Sequence, residues 1–245
     1  MPAEVLQPCE RESVGGIGLD VNMTVHDVAR MLPDIPVLRD LCRSTAMIEA
    51  VLYPDGERYH SFSATWSQTE EIASMRNGSG DEFDIVFSES GVYIRGFDHE
   101  SPMSPYVNDG PWPGVVDSVP EVFRGHVMEP AFMHDGDPCV TVCMWRESGS
   151  DRWRAGEIDF PEGHEDPDGA DWLFRFLTGS TPEAFREWAE DYYETTVDID
   201  AVRQVYGFHP LSQQTVRALN STVSMTAVAD MAAGIGYPTD KDLVA

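Results

Sequence analysis

Phe83-Asp84-Ile85-Val86-Phe87-Ser88-Glu89-Ser90-Gly91-Val92-Tyr93-Ile94-Arg95-Gly96-Phe97 reads as two β-strands and the turn between them. Phe83, Ile85 and Phe87 alternate with Asp84, Val86 and Ser88, and Val92 and Ile94 alternate with Tyr93, Arg95 and Phe97. Side chains of a strand point to opposite faces in turn, so a period of two marks extended chain. Ser88-Glu89-Ser90-Gly91 supplies the hairpin connection, which makes the pair antiparallel.

Working outward from this hairpin, Asn77-Gly78-Ser79-Gly80-Asp81 is turn chemistry, and Glu70 to Met75 and Tyr59 to Trp66 are further strands. Asn77-Gly78-Ser79 also fits the glycosylation pattern, but between two strands it reads as a turn. Before the break at Pro54-Asp55-Gly56, Val37, Leu38, Leu41, Cys42, Ile48 and Val51 make an apolar helical stripe within Pro36 to Leu52. Thr24 opens a shorter helix ahead of Pro33. On the other side, Cys139 to Trp145 and Arg152 to Ile158 form a second hairpin. A proline-rich excursion from His99 to Pro138, with one short helix near Val119 to Val127, separates the two.

The last third is helical. Asp168 can cap a helix bearing Ala170, Leu173, Phe176 and Leu177, and Ser180-Thr181-Pro182-Glu183 starts another. Shorter helices follow over 198–206, 212–219 and 224–233. The expected class is α+β: an antiparallel sheet built from two hairpins, with helices at the N-terminus and a helical C-terminal third. The expected organisation is one domain over 23–238, preceded by an extension over 1–22 and followed by a tail over 239–245. Residues 1–22 hold three glycines near their end and no periodic apolar pattern, so Met23 is the expected natural start.

The chain has 245 residues, 43 acids and 16 bases, a formal net charge of −27. Such a chain repels phosphate backbones and anionic bilayers, which argues against nucleic-acid and membrane partners. With 42% hydrophobic and 10% aromatic residues it can still bury a large core. No export signal is apparent over 1–22, so the expected compartment is the cytoplasm and the four cysteines are expected as thiols. Cys139 and Cys143 share a face of a strand about 13 Å apart, too far to chelate one ion.

The acids are uneven. Glu157 to Asp200 holds 14 acids and two bases, with Trp172, Trp188, Tyr192 and Tyr193 interleaved. A field of one sign speeds encounter with a partner of the other. Glu187, Glu190, Asp191, Glu194 and Tyr193 are the candidate partner-binding residues; the plainer alternative is a solvated helix face. A composition rich in acids and nearly free of lysine also fits a halophilic chain, although that origin would spread the acids evenly.

Three loops combine imidazole with carboxylates: Asp98-His99-Glu100, His134-Asp135-Gly136-Asp137 and His164-Glu165-Asp166. These groups suit acid–base work or a divalent ion. If the chain is an enzyme, Asp98, His99 and Glu100 are the candidate catalytic residues. If it binds a metal, His99, His134 and His164 are the candidate ligands, provided the fold brings them together. Solvated loop charge is the alternative for all three. Asp166-Pro167-Asp168-Gly169 lacks the spacing of a calcium loop and reads as a helix cap.

Met75 to Asp81, together with Gly96-Phe97-Asp98-His99-Glu100-Ser101-Pro102-Met103-Ser104-Pro105-Tyr106, resembles a signature block of uncharacterised bacterial proteins of actinobacterial type. That resemblance implies no catalytic residue. Size, acidity and the lack of a catalytic signature are loosely similar to cytoplasmic immunity proteins that neutralise toxins. The expectation is therefore a non-catalytic, cofactor-free module that docks a basic protein through its acidic C-terminal half. The alternative is a metal-binding or hydrolytic enzyme that uses His99 with Asp98 or Glu100.

Overall fold

The structure, a computed structural model, describes residues 23–134 and 136–240. The expectations for 1–22, including the start at Met23, and for 241–245 lie outside the described residues.

The central hairpin pairs β3 (Glu82–Ser88) with β4 (Gly91–Phe97) in the register Glu82↔Phe97 to Ser88↔Gly91. Only Glu89 and Ser90 lie in the loop. Gly91 closes it at φ 130°, where a side chain would overlap the Arg146 backbone. β2 (Glu71–Arg76) and β1 (His60–Ser63) extend the sheet on one side. After the short β5 (Met133–His134) and β6 (Asp137–Pro138), β7 (Val142–Glu147) and β8 (Arg154–Ala155) extend it on the other. The order is β1-β2-β3-β4-β7-β8, antiparallel throughout, and β5 pairs with β6 in a separate ribbon.

The second hairpin is shorter than its sequence pattern. β8 stops after Ala155, and the backbone of Gly114 lies directly against Gly156 and Glu157 just beyond it.

Helices segregate as the class requires. α1 (Val25–Met31) and α2 (Ile35–Leu52) precede the sheet. α3 (Arg124–Val127) lies in the excursion. α4 (Ala170–Phe174), α5 (Pro182–Tyr192), α6 (Ile199–Tyr206), α7 (Gln213–Leu219) and α8 (Met225–Ile235) follow it. Oxygen caps on Thr181, Asp198 and Ser212 start α5, α6 and α7 by accepting the amides of Ala184, Ala201 and Thr215. Pairing runs two residues past the expected end at 238: Leu211 bridges Thr239 and accepts the amide of Asp240.

Both faces of the sheet are covered. α2 and the C-terminal helices pack on Met75, Phe83, Ile85, Phe87 and Ile94. The excursion covers the other face, bringing Met103, Val115, Phe123 and Phe132 onto Ile72, Val86, Tyr93 and Trp145. Alternating antiparallel strands commonly leave one face wet. Here Asp84 and Arg95, on the alternate face, are buried and neutralise each other, with Arg95 Nε 2.9 Å from Asp84 Oδ2. Among the described residues no helix is long and apolar enough to cross a membrane.

Candidate functional site

Asp81 directly precedes β3 and Asp98 directly follows β4, just past the Glu82↔Phe97 end of their ladder. The β2–β3 turn fixes the first of these. Asn77 Oδ1 accepts the amides of Ser79 (2.8 Å) and Asp81 (3.1 Å), and Asn77 Nδ2 donates to Asp81 Oδ2 (2.8 Å). The Asp81 carboxylate receives three more hydrogen bonds. Its Oδ1 accepts the His99 amide (3.1 Å) and meets His99 Nδ1 (2.6 Å), and its Oδ2 accepts Trp172 Nε1 (3.0 Å).

Burial opposes ionisation of Asp81. The hydrogen bonds from His99 and Trp172, together with the His99 charge, outweigh it and hold the carboxyl below its ordinary value. An ionised carboxylate only accepts, so His99 Nδ1 is the donor and its proton lies toward Asp81. The His99 side chain keeps 34% exposure while that of Asp81 keeps 3%. A buried acid thus orients a partly open imidazole.

Asp98 is fully buried at the end of β4. Its amide donates to Thr141 Oγ1 (3.1 Å), which in turn donates to the Asp168 carbonyl (2.7 Å). Its Oδ1 accepts the Glu100 amide at 2.9 Å. Gly169, at φ 78°, lets the backbone pass against the Asp98 side chain, where a Cβ would overlap it.

Two further acids close the neighbourhood. Asp166 accepts the amides of Asp171 (3.2 Å) and Trp172 (3.0 Å), and Asp168 accepts those of Val25 (2.9 Å) and Ala170 (3.1 Å). The expected Asp168 cap is therefore shared, with Asp166 taking the first turn of α4. Burial pushes Asp166 up to about 6 and Asp168 to about 7, assisted by neighbouring carboxylates.

The sequence expectations meet different fates. Among the described residues, the group whose ligating atoms all lie within 4.8 Å of one another is Asp81, Asp98 and His99. Asp98 and His99 belong to the expected trio. Glu100 does not: its amide serves Asp98, and its place in the group is taken by Asp81. His134 and His164 do not join either. His134 is exposed on β5 with its ring 5.3 Å from Tyr106, and His164 is exposed on the loop before α4. The sequence pattern reads Asn77 and Asp81 only as turn residues and Trp172 only as an aromatic among acids; the signal for Asp81 is its place at the open end of the β3–β4 hairpin.

The signature block also stabilises itself. Ser101 Oγ accepts the Met103 amide (3.0 Å) and donates to the Pro167 carbonyl (2.7 Å), and Ser104 Oγ accepts the Tyr106 amide (3.3 Å).

On α5, Phe185 and Ala189 face the core. Glu187 and Asp191 are exposed at i and i+4, and Glu194, at φ 48° beyond the end of the helix, is exposed as well. Two of the expected docking residues are engaged internally instead. Glu190 pairs with Arg186 (2.8 Å) and accepts the Val197 amide (2.9 Å), and Tyr193 donates to the buried Glu49 (2.5 Å). Arg203 likewise pairs with Glu183 and Asp200.

A groove of about 1200 Å³ runs between α1, the Gly114–Pro120 loop and β8, over Trp145 and Trp153. A smaller one, about 580 Å³, adjoins it at the β7–β8 turn. Neither is lined by His99. Comparison of the chain with protein-family models, curated proteins and solved structures gave no match.

Proposed function

We propose that the chain is a non-catalytic, immunity-like binding module that docks a basic protein through the outer face of α5. The observation that carries this reading is the exposed pair Glu187 and Asp191 on the outer face of α5, with exposed Glu194 just past the end of the helix, in a chain of net charge −27. Like charges at i, i+4 destabilise a helix by a few tenths of a kcal/mol. Among the described residues Asp191 and Glu194 have no ion pair, and Glu187 lies 3.5 Å from Arg186 with its side chain 70% exposed. A basic surface laid on this face would remove the repulsion and gain long-range steering.

A hydrolytic reading is favoured by the Asp81–His99 pair, which has the geometry of an oriented general base. The two grooves described above lie elsewhere, over Trp145 and at the β7–β8 turn.

The test is capture of partners at low ionic strength followed by crosslinking and mass spectrometry, with wild type beside the triple variant Glu187→Gln, Asp191→Asn, Glu194→Gln. The expected result is a basic protein that elutes with salt, crosslinks near α5 and is lost by the variant. Equal retention by the triple variant, or crosslinks confined to the β7–β8 side, would overturn the reading.

A further inference from the structure

We infer that Asp81, Asp98 and His99 form a site for one first-row divalent cation of the zinc type, bound by one oxygen of each carboxylate and by the His99 ring. The proposal is independent of the α5 face and of any partner.

The first support is geometric. Ligands at about 2.0–2.2 Å from one ion lie at most about 4.4 Å from each other. The ligating atoms of this trio already lie within 4.8 Å of one another, so small side-chain movements close the shell. Asp81 directly precedes β3 and Asp98 directly follows β4 at the Glu82↔Phe97 end of their hairpin, and His99 is next in the chain. The sheet therefore sets their spacing.

The second support is charge. Two carboxylates held close together in a buried site repel each other when both are ionised. Asp81 and Asp98 are both buried, with ligating oxygens within 4.8 Å of each other. With a neutral imidazole the trio carries two negative charges, which a dication cancels. The field of Asp98 reaches Asp166, whose carboxyl burial has already raised.

The third support is the surrounding shell. Metal-binding carboxylates are normally held in place by outer hydrogen bonds. Asn77 Nδ2 and Trp172 Nε1 both hold Asp81 Oδ2, and the Glu100 amide holds Asp98 Oδ1. Asp81 Oδ1 keeps the His99 amide when the ion replaces the proton on Nδ1, which leaves to solvent. His99 is also the open side of the site, where water completes the coordination.

Ligand type sets the ion class. Calcium and magnesium prefer all-oxygen shells, whereas one imidazole with two carboxylates suits zinc, with manganese weaker.

The experiment uses the full chain stripped with a chelator and then titrated with zinc in a competition assay. The expected result is saturable binding of one zinc per chain, and X-ray absorption showing nitrogen and oxygen neighbours that include one imidazole. His99→Ala, at a partly exposed position, should fold normally and weaken zinc binding at least tenfold. Asp81→Asn should weaken it similarly, with circular dichroism as the check on folding. Three outcomes would each overturn the site: no saturable binding, unchanged affinity in folded His99→Ala, or sulfur in the zinc shell.

Discussion

Tyr193 donates its hydroxyl hydrogen bond to Glu49 Oε2 at 2.5 Å, across 144 residues of sequence. Glu49 is fully buried on α2, and the same carboxylate accepts the His60 amide (2.9 Å) and meets His60 Nδ1 (2.6 Å). Phe176 and Trp188 stand edge-on around the His60 ring, 5.7 and 5.6 Å away. A carboxylate in such apolar surroundings is tolerated only when its oxygens are satisfied.

Tyr193→Phe should therefore act on stability. Removing one donor from a buried carboxylate costs about 1–3 kcal/mol. Urea unfolding should show that loss, while binding of any α5 partner stays at the wild-type level. A variant of unchanged stability that had lost its partner would return Tyr193 to the docking surface.

Gly169 tests how tightly Asp98 is seated. Gly169→Ala meets both a positive φ of 78° and overlap with the Asp98 side chain. Left-handed backbone costs about 1–2 kcal/mol and overpacking about 1–3 more, so a loss of roughly 2–5 kcal/mol is expected. Gly163→Ala is the matched control, with φ 83° and nothing within 4 Å of the added carbon. It should show the backbone cost alone. Equal losses in urea unfolding would mean that Asp98 yields freely to the new methyl group.

Arg95 is buried on β4 and reaches Asp84 Oδ2 through Nε (2.9 Å) and Nη2 (2.6 Å), the Cys139 carbonyl through Nη1 (2.7 Å), and Glu82. Breaking one side of a buried pair typically costs about 3–5 kcal/mol, because the partner charge is left behind. Arg95→Met should fall near the lower end, since Arg76 and Ser74 still hold Asp84. Adding Asp84→Leu should recover at least about 1 kcal/mol, as apolar replacement of a whole buried pair often does. Further loss in the double variant would show that Asp84 is needed for more than Arg95.

The alternation from Phe83 to Phe97 carried the hairpin because its period of two is local. The caps at Thr181, Asp198 and Ser212 were legible for the same reason: each oxygen serves an amide three residues on. Burial of Asp84 and Arg95 was not, since it depends on an excursion with no period that folds over the sheet. Glu190 falls among acids that look solvated, but the chain returns after α5 and offers it the Val197 amide. Asp81 and His99 are 18 residues apart, and the antiparallel hairpin between them brings its two ends together. Trp172 comes from 91 residues away, and no local pattern announces it.

Asp168 gives the pH dependence its sign. Its oxygens accept the Val25 amide of α1 and the Ala170 amide of α4, its carbonyl accepts Thr141 Oγ1, and Asp166 is the charge facing it. Burial above all raises its pKa from 3.8 to about 7. Between those values the unfolded chain has lost this proton and the native chain keeps it, so the native state binds more protons. Stability must then fall as pH rises from 3.8 to about 7 and level off above. One group contributes about 1.4 kcal/mol per pH unit, which bounds the whole effect at roughly 4 kcal/mol. Asp166, raised to about 6, acts in the same direction, as does self-repulsion in a chain of net charge −27. Urea midpoints measured across this window in chelator should decline toward neutral pH, and Asp168→Asn should flatten the slope. A wild-type profile that rises toward neutrality, or an Asn variant with the same slope, would place the titrating proton elsewhere.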